Sequence, residues 1–244
     1  MKKFIETPFV IPSIIIGLML LLGLWSIGKG ISARSLENVI SVTGSASVNV
    51  TADNASWSVA LERTVDTKDE LAGAYKALSI DVDAVSRLFN DQHLSSSTVT
   101  QTVATTNQNY NGNSSPVSYT LSETVSIQTN DVEKIDGLSH NLKPFQAVLS
   151  SGTILSPQSP AYYVSSLPQL RVSLVGKAVA DAKARANEIA KSGGSTVGAI
   201  SSASSGVVQV IAPNSTNVED YGSYDTSTIQ KQVMVTARAS FYIK

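Results

Sequence analysis

Cysteine is absent from the 244 residues. That excludes disulfides, thiol nucleophiles, iron–sulfur clusters and cysteine-based zinc sites. Histidine occurs only at His93 and His140, on two separate helical segments. One imidazole per helix makes a poor metal site. Charge is scarce as well: 15% of residues are Asp, Glu, Lys or Arg, against roughly 25% in an average globular chain. The net charge is −1 and the pI about 6.1, which gives no electrostatic case for nucleic acid. There is no Gly-x-Gly-x-x-Gly or Walker loop for nucleotide phosphates. There is no Gly-x-Ser-x-Gly elbow either. A Ser-His-Asp triad is a spatial arrangement, and abundant serine does not by itself argue for one.

Ser and Thr fill the space that charge leaves, with 37 and 19 residues. Hydrophobic residues reach 42%, enough for a packed core. The composition suits β-structure with polar, uncharged faces. The length allows one or two domains.

The N-terminus points to a compartment. Lys2 and Lys3 precede the uncharged run Phe9–Ile27. Its 19 residues make a helix of about 28 Å at 1.5 Å per residue. A hydrocarbon core is roughly 30 Å thick. Pro12 falls in the first turn, where a missing N–H costs little. Trp25 lies near the far end, where interfacial aromatics are favoured. The two lysines hold the N-terminus in the cytoplasm, although Lys29 and Arg34 reduce the asymmetry. A cleaved secretory signal is the alternative, but such apolar regions usually run only about 7–15 residues. Its best cleavage site, Ile31-Ser32-Ala33, is mediocre. The reading is a stub and membrane anchor over 1–30, a linker over 31–38, and a periplasmic or extracellular domain over 39–244.

Residues 40–65 alternate and turn at Asp53-Asn54, which predicts a hairpin with Trp57 in the core. Leu71, Tyr75, Leu78, Val82, Val85 and Phe89 form a helical stripe over 68–91. Thr67 and Glu70 stand at capping-box spacing before it. Residues 98–106 and 117–129 alternate around the polar segment 107–116. A second stripe, Ile135 to Leu149, takes Asn130 as its cap and breaks near Lys143 because of Pro144. Ile154–Val164, with Pro157 and Pro160, reads as an edge strand. The third helix starts at Ser166 and Pro168, buries Leu170, Leu174, Ala178, Ala182, Ala186 and Ile189, and stops at Gly193-Gly194. Its Ala-rich face permits close approach to a sheet. The region 197–211 is an interrupted strand, and 229–243 the strongest one. The class is α+β, with largely antiparallel sheet packed with about three helices behind the transmembrane helix. The segments 40–91 and 98–150 hint at a repeated ββα unit.

Three of these segments carry a resemblance. Ile40-Ser-Val-Thr-Gly-Ser-Ala-Ser-Val-Asn-Val-Thr-Ala-Asp53 resembles the opening of the SIMPL (DUF541) family. So do the helix Ala178–Ala190 with Gly193-Gly194 and Val197-Gly198 behind it, and the closing strand Gln232–Ile243. The resemblance covers about residues 38–244. It implies an α+β envelope protein, exported or membrane-anchored, that tends to self-associate. Stress-related roles go with some bacterial members. It supplies no catalytic residues and no cofactor.

The residues left for function are aromatic and acidic positions in polar loops. Tyr110 and Asn111 lie in the loop 107–116. Tyr221, Tyr224 and Asp225 lie in the loop 213–228, which carries no basic residue. Aromatics in such loops have no core to fill and suit a contact surface. Glu219, Asp220 and Asp225 lack the spacing of an EF-hand. These features predict a non-enzymatic, membrane-anchored envelope protein that assembles with itself or binds an envelope partner through those loops. The alternative is an exported protein that binds a small ligand or glycan, with the same loops as its pocket rim.

Overall fold

In the computed structural model, the described residues are 10–34, 38–94, 96–106, 109–110, 113–114, 118–147, 149–215 and 221–244. Side chains at 10–11, 27–34 and 96–114 are not among them. An α-helix, α1 (Val10–Arg34), occupies the predicted apolar span. Its described side chains run over 12–26, fifteen residues or about 22 Å. Among the described residues no helix is long and apolar enough to cross a membrane, so the predicted spanning length is not met there. Residues 1–9, including Lys2 and Lys3, lie outside the described residues.

The rest is α+β, and the chain divides into two compact units. The larger holds Ala46–Gly176 and Val207–Val235. Its sheet is ordered β3 (Ser96–Thr106), β6 (Ser118–Thr129), β2 (Asn54–Val65), β7 (Ile154–Pro157), and β8 (Ala161–Tyr163) also pairs with β2. These pairings are antiparallel, with β2 and β6 in register from Ala55 opposite Thr129 to Val65 opposite Tyr119. A short hairpin of β4 (Asn109–Tyr110) and β5 (Asn113–Ser114) lies between β3 and β6 in the chain. β7 is the terminal strand and holds Pro157, as its prolines require.

A 3-10 turn, Lys68–Glu70, leads into α2 (Leu71–Asp91). The Thr67 backbone N–H donates to Glu70 Oε2 at 3.2 Å, so the predicted capping box forms. Ala74, Leu78, Val82, Val85 and Phe89 are buried against the sheet. Trp57 is buried with them, its ring edge-on to Phe89 at 5.9 Å and to Phe145 at 5.7 Å. Its Nε1–H donates to the Gln158 carbonyl at 2.8 Å, which satisfies the one polar atom of the indole. The second helical stretch breaks as Pro144 demands, into α3 (Val132–His140) and α4 (Lys143–Gln146). Its cap is Asp131, which accepts from the Lys134 N–H at 3.2 Å, one residue beyond the expected Asn130. Asn130 bonds Asn54 instead.

The smaller unit comprises residues through Ser45, Lys177–Gly206 and Thr236–Lys244. A three-stranded sheet has the order β1 (Val39–Thr51), β10 (Gln230–Ile243), β9 (Val197–Ile211). At its end Thr196 and Lys244 exchange two backbone hydrogen bonds, at 2.8 and 2.9 Å. The expected hairpin of residues 40–65 is therefore wrong. β1 and β2 stand in different sheets, and Asp53-Asn54 is a crossover between them. The hinted ββα repeat fails for the same reason. Residues 197–211 form one continuous strand, not an interrupted one.

The third predicted helix is α5 (Leu167–Ser192). Leu174, Ala178, Ala182, Ala186 and Ala190 are buried, a strict row of every fourth residue. Ile189, expected in that row, is one position off it and 56% exposed. The small row lets the helix backbone meet β1. An added Cβ at Gly44 would sit 2.2 Å from the Ala178 carbonyl oxygen and 2.3 Å from the Ala182 nitrogen. Only glycine fits there. The predicted close approach of an alanine face to a strand is realised at this point.

Candidate functional site

The expected contact residues do not come together. The loop 107–116 leaves the sheet at Thr106 and returns at Ser118, beside the Val65 end of β2. Tyr163 pairs with Asn54 at the other end of β2. Twelve residues of strand separate those ends by about 36 Å at 3.3 Å per step. Tyr110 pairs through its backbone with Asn113, and its side chain is not described. Asn111 lies outside the described residues, as do Glu219 and Asp220.

The Tyr163 end is where described functional groups converge. Tyr224 folds back, and its hydroxyl accepts from the Val164 N–H at 2.9 Å. Its ring lies 6.0 Å from that of Tyr163. Lys231 Nζ stands 5.8 Å over the Tyr224 ring and donates to the Asp225 carbonyl at 2.5 Å. The Asp225 carboxylate accepts from the Ser227 N–H and from the Ser227 and Thr228 hydroxyls, each at 2.7 Å. Its backbone N–H donates to the Val210 carbonyl at 2.8 Å. Tyr224 and Asp225 are thus tied into the framework. Tyr221 is the contrast, at 97% exposed. It precedes Gly222, whose φ of +82° turns the chain.

Sequence reasoning missed Lys231. It reads as one more polar residue of an alternating strand, yet it is fully buried. Burial pushes its ammonium below the ordinary lysine range, against the pull of the Asp225 charge. In the sequence Asp53 reads most simply as a turn residue. Its carboxylate accepts from the Ser165 N–H at 2.7 Å and the Ser165 hydroxyl at 2.5 Å. Those bonds, the hydroxyl's first, hold it below the usual carboxylate range. Tyr162 donates to Asp136 at 2.9 Å, and burial with that bond pushes its phenol up to about 12.

In the smaller unit an open groove of about 740 Å³ runs between β1 and α5. Val42, Thr43, Ala184, Arg185 and Ile189 line it, with Asn187 and Glu188. Asp181 accepts from the Ser45 N–H and from Arg185 Nε, each at 2.9 Å, so the groove's arginine is already paired. The Asp181 bond to Ser45 of β1, 136 positions away, has no local signal in the sequence.

Among the described residues no group of three or more His, Cys, Asp or Glu could hold a metal ion. His93 follows the C-cap Gln92 of α2 with a φ of +59°. His140 Nδ1 lies 2.7 Å from the Asp136 carbonyl of its own helix.

A family model, SIMPL, described as "Protein of unknown function (DUF541)", matches residues 40–241. The chain belongs to the SIMPL family. No curated protein matches it. The SIMPL segments singled out in the sequence prove to be packing devices. Gly44 of the opening strand sits on Ala178 and Ala182 of the helix, and Asp181 of that helix reaches the next residue, Ser45. The SIMPL description names no chemistry.

Proposed function

We propose that this SIMPL protein is a non-enzymatic, membrane-anchored cell-envelope protein whose domain assembles with itself or binds an envelope partner. The N-terminus is cytoplasmic and the domain 39–244 periplasmic or extracellular. One observation carries the anchor. On α1 the side chains Ile14, Ile15, Ile16, Leu18, Met19, Leu20, Leu21, Leu22, Leu24 and Trp25 are all exposed. A helix apolar all round needs an apolar surrounding, and a bilayer supplies it over the uncharged run Phe9–Ile27. The absence of chemistry is supported by how the carboxylates are used. Asp53, Asp81 and Asp225 each accept bonds from backbone N–H and hydroxyl groups that fix loops.

Alkaline carbonate extraction of membranes from cells expressing the full chain tests the anchor. The chain is expected to stay in the pellet, as a spanning helix requires. Release into the supernatant removes the reading. The exposed aromatic is the contact candidate of the loop 213–228. Tyr221→Ser is expected to weaken assembly or partner capture at least tenfold while leaving the thermal midpoint unchanged. Intact assembly and intact capture would remove the loop from the reading. The ligand-binding alternative is not favoured, because the loop 107–116 is rooted beside the Val65 end of β2, whereas Tyr224 of the other loop stands against Tyr163, which pairs with Asn54 at the opposite end of that strand.

A further inference from the structure

Over the parts that lie in the smaller unit, Val39–Ser45 and Val197–Gly206, β1 and β9 carry no charge or proline to keep sheet edges apart. β1 and β9 are the terminal strands of their sheet. Neither VISVTGSASVNVT nor VGAISSASSGVVQVI contains a charged residue, a histidine or a proline. Charges and prolines are how proteins blunt exposed edges. Every residue from Ala199 to Gly206 is exposed, while further along β9 the rim is closed at Val210 by backbone bonds with Ser223 and Asp225. Residues of β1 alternate in backbone direction. Asn38 accepts from Ile243, so its parity faces β10. The opposite parity, with Ser41 and Thr43, faces outward, and Ser45 of that set is covered by Asp181. An open rim of β1 from Val39 to Thr43 therefore borders the groove.

We infer that β9 of one copy adds to the Val39–Thr43 rim of β1 in a second copy, with Ile200 entering the groove beside Ile189. This deepens the self-assembly reading and rests on it. Apolar fit supports the occupant. The groove's arginine is paired with Asp181, Glu188 is the remaining charge of a lining that includes Val42, Ala184 and Ile189, and β9 is an uncharged strand with Ile200 48% exposed. Both halves of the joint lie on one chain, so the contact is head-to-tail and propagates into a ring or a row.

The cysteine-free chain makes the test direct. Thr43→Cys is combined in turn with Ile200→Cys, Ser201→Cys and Ser202→Cys in the full chain, oxidised in its native membrane. Facing residues on adjacent strands have Cβ atoms about 4.5–5.5 Å apart, close enough for a disulfide after small adjustment. At least one double variant is expected to give a reducible ladder of multimers, while each single variant stays a monomer on the same gel. Crosslinking by a single β9 cysteine would mean a symmetric β9–β9 contact and overturns the proposal. The second measurement is the mass of the detergent-solubilised full chain by native mass spectrometry. Ser201→Lys with Ala203→Lys is expected to convert the multimer to monomer with an unchanged circular dichroism spectrum. A multimer that ignores both lysines, with no crosslink at any of the three positions, overturns the edge joint and leaves self-assembly standing. A monomeric unmodified chain overturns both.

Discussion

Two glycines on this chain have opposite meanings. At Gly44 a methyl group would strike the α5 backbone at Ala178 and Ala182. Neither backbone atom can rotate away. Overpacking of this kind costs about 1–3 kcal/mol, occasionally more. Gly44→Ala is therefore expected to lower the thermal midpoint by about 4–8 °C, taking roughly 2 kcal/mol and about 2–4 °C per kcal/mol for a domain of this size. Gly176 is the control. It lies inside α5 with nothing within 4 Å of its would-be Cβ. Gly176→Ala is expected to raise stability by about 0.5–1 kcal/mol, since alanine loses less backbone entropy on entering a helix. Thermal unfolding by circular dichroism at 222 nm reads both. Equal shifts of the same sign would mean that the close approach at Gly44 is not made.

Elements were legible where local chemistry defines them. The α2 stripe, the Thr67–Glu70 box and the break before Pro144 each depend on residues within four positions of one another. Sheet membership does not. β1 and β2 each carry one apolar parity, and Asp53-Asn54 is good turn chemistry, so a hairpin follows from the sequence. What separates the strands is distant. Ala52 donates to the Ile229 carbonyl at 2.9 Å, and Asp53 holds Ser165, 112 positions away. The candidate site failed to be legible for the same reason. Tyr224 and Tyr221 look alike as loop aromatics, and it is the distant Val164 N–H, Tyr163 ring and Lys231 that set Tyr224 apart. The Asp53–Ser165 contact also predicts behaviour at the element scale. It fixes the residue just before Ser166, whose carbonyl accepts from Leu170 to open α5. Asp53→Ala removes the carboxylate that the exposed Ser165 N–H and hydroxyl donate to, at a net cost of about 1 kcal/mol, since water can replace it. Amide exchange is expected to accelerate first over residues 165–170 and not over 178–190. Uniform acceleration along α5 would show that Asp53 acts globally instead.

For the whole molecule, a chain with few charges leaves its pH dependence to a few tied groups. Asp53 and Asp181 are held below the ordinary carboxylate range, by the Ser165 hydroxyl and by the Ser45 N–H respectively. Between their folded values and about 3.9, the unfolded chain binds more protons. Their contribution is thus complete above about pH 4 and lost as pH falls through the folded values. Lys231 works at the other end. Burial lowers its folded value, so in the window below about 10.4 the unfolded chain again holds more protons. Stability rises with pH across that window. Tyr162 reverses the slope. Its phenol keeps its proton up to about 12 when folded, and loses it near the ordinary tyrosine value of 10.0 when unfolded. There the folded chain binds more protons, and stability falls. Urea midpoints are expected to climb as pH rises toward about 10 and to drop beyond it. Lys231→Met removes the buried ammonium while keeping an unbranched stem of similar length in the core. It is expected to flatten the climb and leave the drop, and Tyr162→Phe to do the converse. A climb that survives Lys231→Met would place its origin in another group and return Lys231 to a merely structural role. If instead the climb vanishes, the loop holding Tyr224 and Asp225 is fastened by a lysine whose charge opposes folding, and the bonds it makes there outweigh that cost.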